Sequence, residues 1–254
     1  MNKRLTDIHC IFQIHLARLR REAGPFLLAA IVFPIAMYLF ASGIAHQNPS
    51  EMVTNDAKIH FLAASIVFSL SLTAISWLGY LLLENRFTGR LKLFATLPLA
   101  PSSYVFGVLI FALLQGSLGT ISMLAAARIL GVQTNIDGIA GVLLLALTVF
   151  VALLSLCGIS VIIASRVRSF SEGSLYTDAL GAGIVLLAPV YYSAETLPFF
   201  MRWLGYILPT TYIAGAVNKI LAGNPLIGGE LLILTAMAAV TLTSGFGLMN
   251  WREE

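Results

Sequence analysis

Six stretches of the chain are apolar for long enough to cross a bilayer as helices: Pro25 to Ile44, Phe61 to Leu83, Tyr104 to Leu124, Ile139 to Ile163, Leu175 to Tyr192 and Leu231 to Met249. A hydrocarbon layer about 30 Å thick takes about 20 helical residues to span, whereas a transmembrane barrel is written in alternating segments of about 10 residues, and no such alternation is visible. A chain of 254 residues that is 58% hydrophobic and 11% charged, with mean hydropathy +0.89, lies outside the range of soluble domains. The expected fold class is an all-α membrane protein with six transmembrane helices, residues 1–254 forming one transmembrane domain.

The basic residues orient these spans. Lys3, Arg4, Arg18, Arg20 and Arg21 precede the first, Arg86, Arg90 and Lys92 follow the second, Arg166 and Arg168 follow the fourth, and Arg252 follows the last. Only Lys58, Arg128, Arg202 and Lys219 fall on the other side. Positive residues stay cytoplasmic, so both termini are expected in the cytosol of a multi-pass protein of the bacterial cytoplasmic membrane. The net charge of +3 then reflects topology and gives no reason to invoke nucleic acid.

The first apolar run follows a charged leader of about 24 residues and precedes five more spans, so it reads as a retained helix rather than a signal peptide. Cys10 is expected in the cytosol and Cys157 inside the fourth span, which keeps them out of a shared disulfide, and neither has metal-ligand neighbours.

Three segments outside the spans carry organisation. In the leader, residues 1–24, Leu5, Ile8, Phe12, Leu16 and Leu19 recur at three- and four-residue steps among basic residues, the pattern of an amphipathic helix lying on the inner leaflet, either as an anchor or as a mechanical element. In residues 84–98, Phe87, Leu91 and Phe94 at i, i+4 and i+7 make an apolar face opposite Arg86 and Arg90, as in a short helix parallel to the membrane. Pro98 and Pro101 stop it. Charges alone would serve as a topology anchor; the aromatic stripe and paired prolines ask for more. The third segment, residues 193–225, is too apolar for a solvated loop and too broken by Pro198, Pro209 and Pro225 for a clean span. Irregular backbone at membrane depth survives only under cover, so partly inserted re-entrant helices are expected, with Trp203, Tyr206 and Tyr212 at the interface.

Taken together, these features resemble the permease subunit of type 2 ABC transporters, the exporter class, across essentially the whole chain. Glu84, Arg86, Thr88-Gly89, Leu91 and the run Leu93 to Pro98, with Tyr104 and Gly107, look like that family's signature at its coupling helix, although the family usually reads Gly-Thr where this chain reads Thr88-Gly89. Leu197 to Tyr212 is similar to the family's outer re-entrant helices, through Pro198, Trp203, Pro209 and Tyr212. The resemblance implies that Glu84, Arg86, Phe87, Gly89, Arg90, Leu91 and Phe94 couple the membrane domain to an ATPase. It implies two ATPase subunits, which bind the ATP and magnesium, and a second permease, identical or related. No cofactor is expected on this chain itself.

The residues agree with a separate energy source, since no phosphate-binding loop of the form G-x-x-x-x-G-K-[ST] occurs and none of the lysines follows a glycine. An intramembrane enzyme is disfavoured because His9, His15, His46 and His60 all lie at or before the start of the second span, and HExxH and Gly-x-Gly-Asp motifs are absent. A secondary carrier would want buried acids; Asp178 is the one candidate, expected to pair with Arg166 or Arg168 near the cytoplasmic end. An ABC importer permease is a closer rival, but the spacings from Glu84 to Gly89 and from Gly89 to Pro98 are shorter than its coupling loop asks. Ser65, Ser69, Thr73, Ser76 and Tyr80 form a hydroxyl stripe on the second span at i, i+4, i+8, i+11 and i+15, suited equally to lining a pathway and to close helix packing. With no charge at any span centre, the expected cargo is a hydrophobic or amphipathic molecule, drug-like or lipid, with lipid-linked polysaccharide as the alternative.

Overall fold

A computed structural model of the chain describes residues 3–21, 23–45, 54–96, 101–136, 138–192 and 198–248. Among these residues there is no strand; the chain is helix after helix. Among the described residues, four helical runs are long and apolar enough to cross a membrane: Asn55–Phe87, Ser102–Ile129, Gly138–Arg166 and Gly228–Leu248. They coincide with the second, third, fourth and sixth expected spans.

The stretches expected as the first and fifth spans form shorter helices that do not reach that length. The first is a broken run, made of α2 (Ala23–Leu27), a π-helical turn at Leu28–Val32 and α3 (Phe33–Ala45). The fifth is α9 (Phe170–Leu186), 17 residues long, starting and ending earlier than its hydropathy suggested. Its start is set by a reciprocal cap: the Glu172 N–H donates to Ser169 Oγ at 3.2 Å, while the Glu172 carboxylate accepts the Arg168 N–H at 2.8 Å. This satisfies orphan donors of the first turn and holds a carboxylate at the positive end of the helix dipole.

The second span is the centre of the molecule. It comprises α4 (Asn55–Ser71), a π-helical segment at Leu72–Trp77 and α5 (Leu78–Phe87), and 78% of its most apolar window is buried against 17% for the sixth span, α12 (Gly228–Leu248). Around it stand α7 (Pro101–Ile129), α8 (Gly138–Arg166), α9 and α11 (Pro209–Leu221), and α12 lies along α8. Helices at the periphery leave Phe150, Leu232 and Val240 exposed, as lipid-facing surfaces do.

A π segment interrupts the regular i to i−4 ladder and loosens carbonyls that must find partners inside a bilayer. Here the Ser160 hydroxyl of α8 donates to the Ala74 carbonyl and also to that of Ile75 at 3.2 Å. Ser71 donates to the Gly181 carbonyl at 2.8 Å and Ser76 to the Thr177 carbonyl at 3.1 Å. These bonds tie the irregular segment to α8 and α9. Gly181 is required by the closeness of that contact, because a Cβ there would overlap Ser76 Oγ.

The leader is helical as expected, α1 running Lys3–Arg21; of the expected apolar face Ile8, Phe12, Leu16 and Leu19 are half-buried, Phe12 and Leu19 against Phe26 and Phe111, and the most buried positions lie beside it. Ile11 and His15 are buried, His15 with its ring 5.8 Å from Phe111, whereas Leu5 is 62% exposed. The cause is α7, along which α1 packs: the helix answers a protein groove as well as a lipid surface.

Candidate functional site

The segment 84–98 divides into two helices rather than forming one. α5 ends at Phe87, Thr88 and Gly89 make a turn, and α6 runs Arg90–Thr96. Gly89 has φ +78, a left-handed conformation that glycine adopts without steric cost. The Thr88 hydroxyl donates back to the Glu84 carbonyl at 2.6 Å. The order Thr-Gly thus has a local reason: glycine occupies the position that must turn. Pro98 lies outside the described residues, and Pro101 is the first residue of α7.

Leu91 and Phe94 pack against the main core, with the Phe94 ring 5.5 Å from that of Tyr104 at the base of α7. The expected apolar stripe is therefore shorter by one member. Phe87 belongs to the end of α5, is 40% exposed, and lies under the Arg86 guanidinium at 5.2 Å. The charged face is corrected as well. Arg86 turns away from Arg90 and donates from Nη1 to the carbonyls of Ala164 at 2.6 Å and Val167 at 2.9 Å, where a cation meets the negative end of α8. Arg90 pairs with Glu84 at 3.1 Å near the surface. The second, third and fourth spans are thus joined at one end of the molecule, with Lys92 and Leu93 left exposed on α6. Asn85, which the sequence reading passed over, is buried and donates to the Tyr104 hydroxyl at 2.8 Å.

The hydroxyl stripe splits into a packed part and a part that borders a cavity, although Ser69 and Thr73 are themselves only 5% exposed. Ser65 is fully buried and donates to the Phe61 carbonyl at 2.8 Å, so it contributes to packing. Ser69, Thr73, Ser76 and Tyr80 line a cavity of about 350 Å³ that opens between the two π-helical segments, walled by Leu28, Ala29 and Phe33 on one side and by Leu72, Trp77, Gln115 and Asp178 on the others. Trp77 stacks on Phe111 at 5.6 Å behind it. Asp178 accepts a hydrogen bond from the Tyr80 hydroxyl at 2.7 Å, in place of the expected pairing with Arg166 or Arg168, because α9 turns this residue toward the second span. Gln115 is buried and its Oε1 has no hydrogen-bond partner among the described residues. A glutamine in the middle of the third span is the signal that the sequence offers for this wall.

In the segment 193–225, residues 193–197 lie outside the described set, and the rest forms two helices, α10 (Phe199–Ile207) and α11. Pro198 precedes the first. Leu208 is extended and Pro209 opens α11, the position where its missing N–H is harmless. The corner is fixed by Thr211 donating to the Gly205 carbonyl at 2.6 Å and Tyr212 to that of Tyr206 at 2.8 Å, and Thr210 ties it to the Ile184 carbonyl at 3.0 Å. Trp203 and Tyr206 are each 61% exposed on α10. Among the described residues no cluster of side chains could hold a metal ion.

Comparison with known proteins agrees with this arrangement. Residues 8–222 match the family model described as ABC-2 type transporter. A relative, Nodulation protein J of Azorhizobium caulinodans, is 24% identical over 234 residues, covering 90% of this chain and 79% of its own. The family match extends from the leader through α11 and includes the turn at Gly89 and the corner at Pro209. Membership implies a permease that works with an ABC ATPase, and the long apolar helices make it an integral membrane protein. The chain belongs to the ABC-2 type transporter family, as a membrane-spanning permease component.

Proposed function

We propose that this chain is the permease of an ATP-driven exporter that moves a hydrophobic or amphipathic molecule, drug-like or lipid, out of the cytoplasm. Two permeases, identical or related, work with two ATPase subunits in the bacterial cytoplasmic membrane, with six spans and both termini cytoplasmic. The observation that carries the reading is the attachment of α6: Leu91 and Phe94 seat it on the core while Glu84 and Arg90 remain at the surface beside it. A short helix held on one face and open on the other can pass a push from a docked ATPase into the second and third spans, which it connects directly. The eleven basic residues on that side support its placement in the cytosol.

The test is reconstitution in sealed vesicles. The purified chain should show no ATP hydrolysis, and adding a matched ABC ATPase should give ATP-dependent loss of an amphipathic dye from the compartment facing α6. Hydrolysis by the isolated polypeptide above contaminant level, or transport that ignores the ATPase, would overturn the reading.

A further inference from the structure

We propose that the cavity between the two π-helical segments is a binding site for a cationic amphipath bearing N–H donors, with Asp178 as its counter-charge. The inference rests on the reading of the chain as an exporter permease and names the class of molecule it takes.

The first argument is shape. A space of about 350 Å³ is within the range that drug-sized molecules occupy. It is built where both flanking helices depart from α geometry, with Leu28 and Ala29 from the first π segment and Leu72 and Trp77 from the second. Such departures are frequent at ligand sites because they re-aim side chains while keeping the helix continuous. The walls are chiefly aliphatic and aromatic, which suits the apolar body of an amphipath.

The second argument is sign. Among the described residues that line the cavity, Asp178 is the only one with a formal charge, and no lysine or arginine is present. Asp178 is exposed, so its carboxylate offers a cation a water-screened attraction at the mouth of the apolar wall. A phosphate-linked headgroup would meet it as a like charge, with no guanidinium or ammonium to compensate.

The third argument is hydrogen-bond polarity. Tyr80 has committed its proton to Asp178 and Ser76 to the Thr177 carbonyl, so both hydroxyls have only lone pairs left for a ligand. The Gln115 amide oxygen, on a residue 1% exposed, has no partner among the described residues, and a buried acceptor in that state is costly. Together with the carboxylate, these atoms offer acceptors, beside the Ser69 and Thr73 hydroxyls, which can donate or accept, and the Trp77 indole N–H, which donates. A protonated amine supplies the donors and the charge at once, and charge-assisted bonds are the strong ones.

The experiment uses the full chain in neutral phosphatidylcholine nanodiscs, with rhodamine 6G as the cationic N–H donor probe and 8-anilinonaphthalene-1-sulfonate as the anionic one. Empty discs give the lipid partition to subtract. Saturable rhodamine 6G binding is expected, weakened about tenfold by Asp178→Asn, largely retained in Asp178→Glu, and weakened by Gln115→Leu. The anionic probe should bind Asp178→Asn at least as well as the wild type. Equal rhodamine 6G affinity in the wild type, Asp178→Asn and Gln115→Leu, or a wild type that prefers the anion, would overturn the proposal. Should Asp178→Asn fail to give a monodisperse protein, the charge-preserving variant, Gln115→Leu and the wild-type cation-to-anion ratio still decide. Binding needs no ATPase, so a failure here with ATP-driven export intact sinks the cation site alone, whereas absent ATP-driven export sinks the functional reading.

Discussion

Asn85 at the end of the second span donates to the hydroxyl of Tyr104 at the start of the third, 2.8 Å away and out of reach of water. The two residues flank α6, so this bond closes the loop on which the helix sits, and the Tyr104 ring is also the surface on which Phe94 rests. One side chain thus holds the base of two spans together and seats the helix between them.

Tyr104→Phe keeps the ring and removes the hydroxyl that accepts from Asn85. Losing a buried partner costs about 1–3 kcal/mol, so the midpoint of thermal unfolding in detergent should fall, while the Phe94 contact persists. Asn85→Ala should lower the midpoint as well, because it takes this donor away from the buried Tyr104 hydroxyl and leaves space where the amide was. Equal stability of Tyr104→Phe and wild type in a thermal aggregation assay would show that the bond carries no weight.

Glu84 and Arg90 form a surface pair, their side chains 29% and 50% exposed, and such pairs contribute at most about 1 kcal/mol. Replacing either should leave folded yield nearly unchanged. Transport per ATP hydrolysed should nevertheless fall if this corner meets the ATPase. Leu91→Asp acts on the opposite face of α6: a carboxylate forced against the core should release the helix and weaken co-purification of the ATPase. Yield, co-purification and the transport-to-hydrolysis ratio, measured together, check both; normal values throughout would leave α6 as a topology anchor.

Ser160→Ala tests how the central π segment is tolerated. It removes the donor to the carbonyls of Ala74 and Ile75, and interhelical bonds of this kind in membranes are worth about 1 kcal/mol. A lowered unfolding temperature is expected, with Ser160→Thr closer to the wild type. An unchanged temperature in Ser160→Ala would mean that the segment satisfies itself within its own helix.

The four long apolar helices were legible because a bilayer demands long apolar runs, and the demand is written in composition. Legible too was a break at Leu208, since Pro209 announces it. The central π segment was not. Leu72–Trp77 reads as ordinary apolar helix, and the donor to its Ala74 and Ile75 carbonyls is Ser160, 83 positions from Trp77 along the chain. The direction of Arg86 was hidden for the same reason: the carbonyls of Ala164 and Val167 that receive it belong to another span, and helical spacing records only which residues share a face. Ser65 and Ser76 look alike in the sequence, and only the approach of α9 at Gly181 and the opening beside Leu28 give them different surroundings.

That difference makes the hydroxyl stripe testable one residue at a time. In a background without Cys10 and Cys157, single cysteines at Thr73 and Ser76, which line the cavity, should react with a small water-soluble methanethiosulfonate in native vesicles. Cysteines at Ser65, Val67 and Leu78, each at most 1% exposed, should stay protected. If the cavity belongs to the transport path, trapping ATP on the partner should change the rate at Thr73 and Ser76 and leave the protected set silent. Ser69 adds a discriminating case, because it borders the cavity and also approaches Gly119, where a Cβ would lie 3.2 Å from its hydroxyl. Ser69→Leu should therefore lower folded yield through overpacking, by about 1–3 kcal/mol, even though Ser69→Cys is labelled. Silence at Thr73 and Ser76 with reactivity at Val67 and Leu78 would place water on the opposite face of the second span and remove the stripe from the pathway.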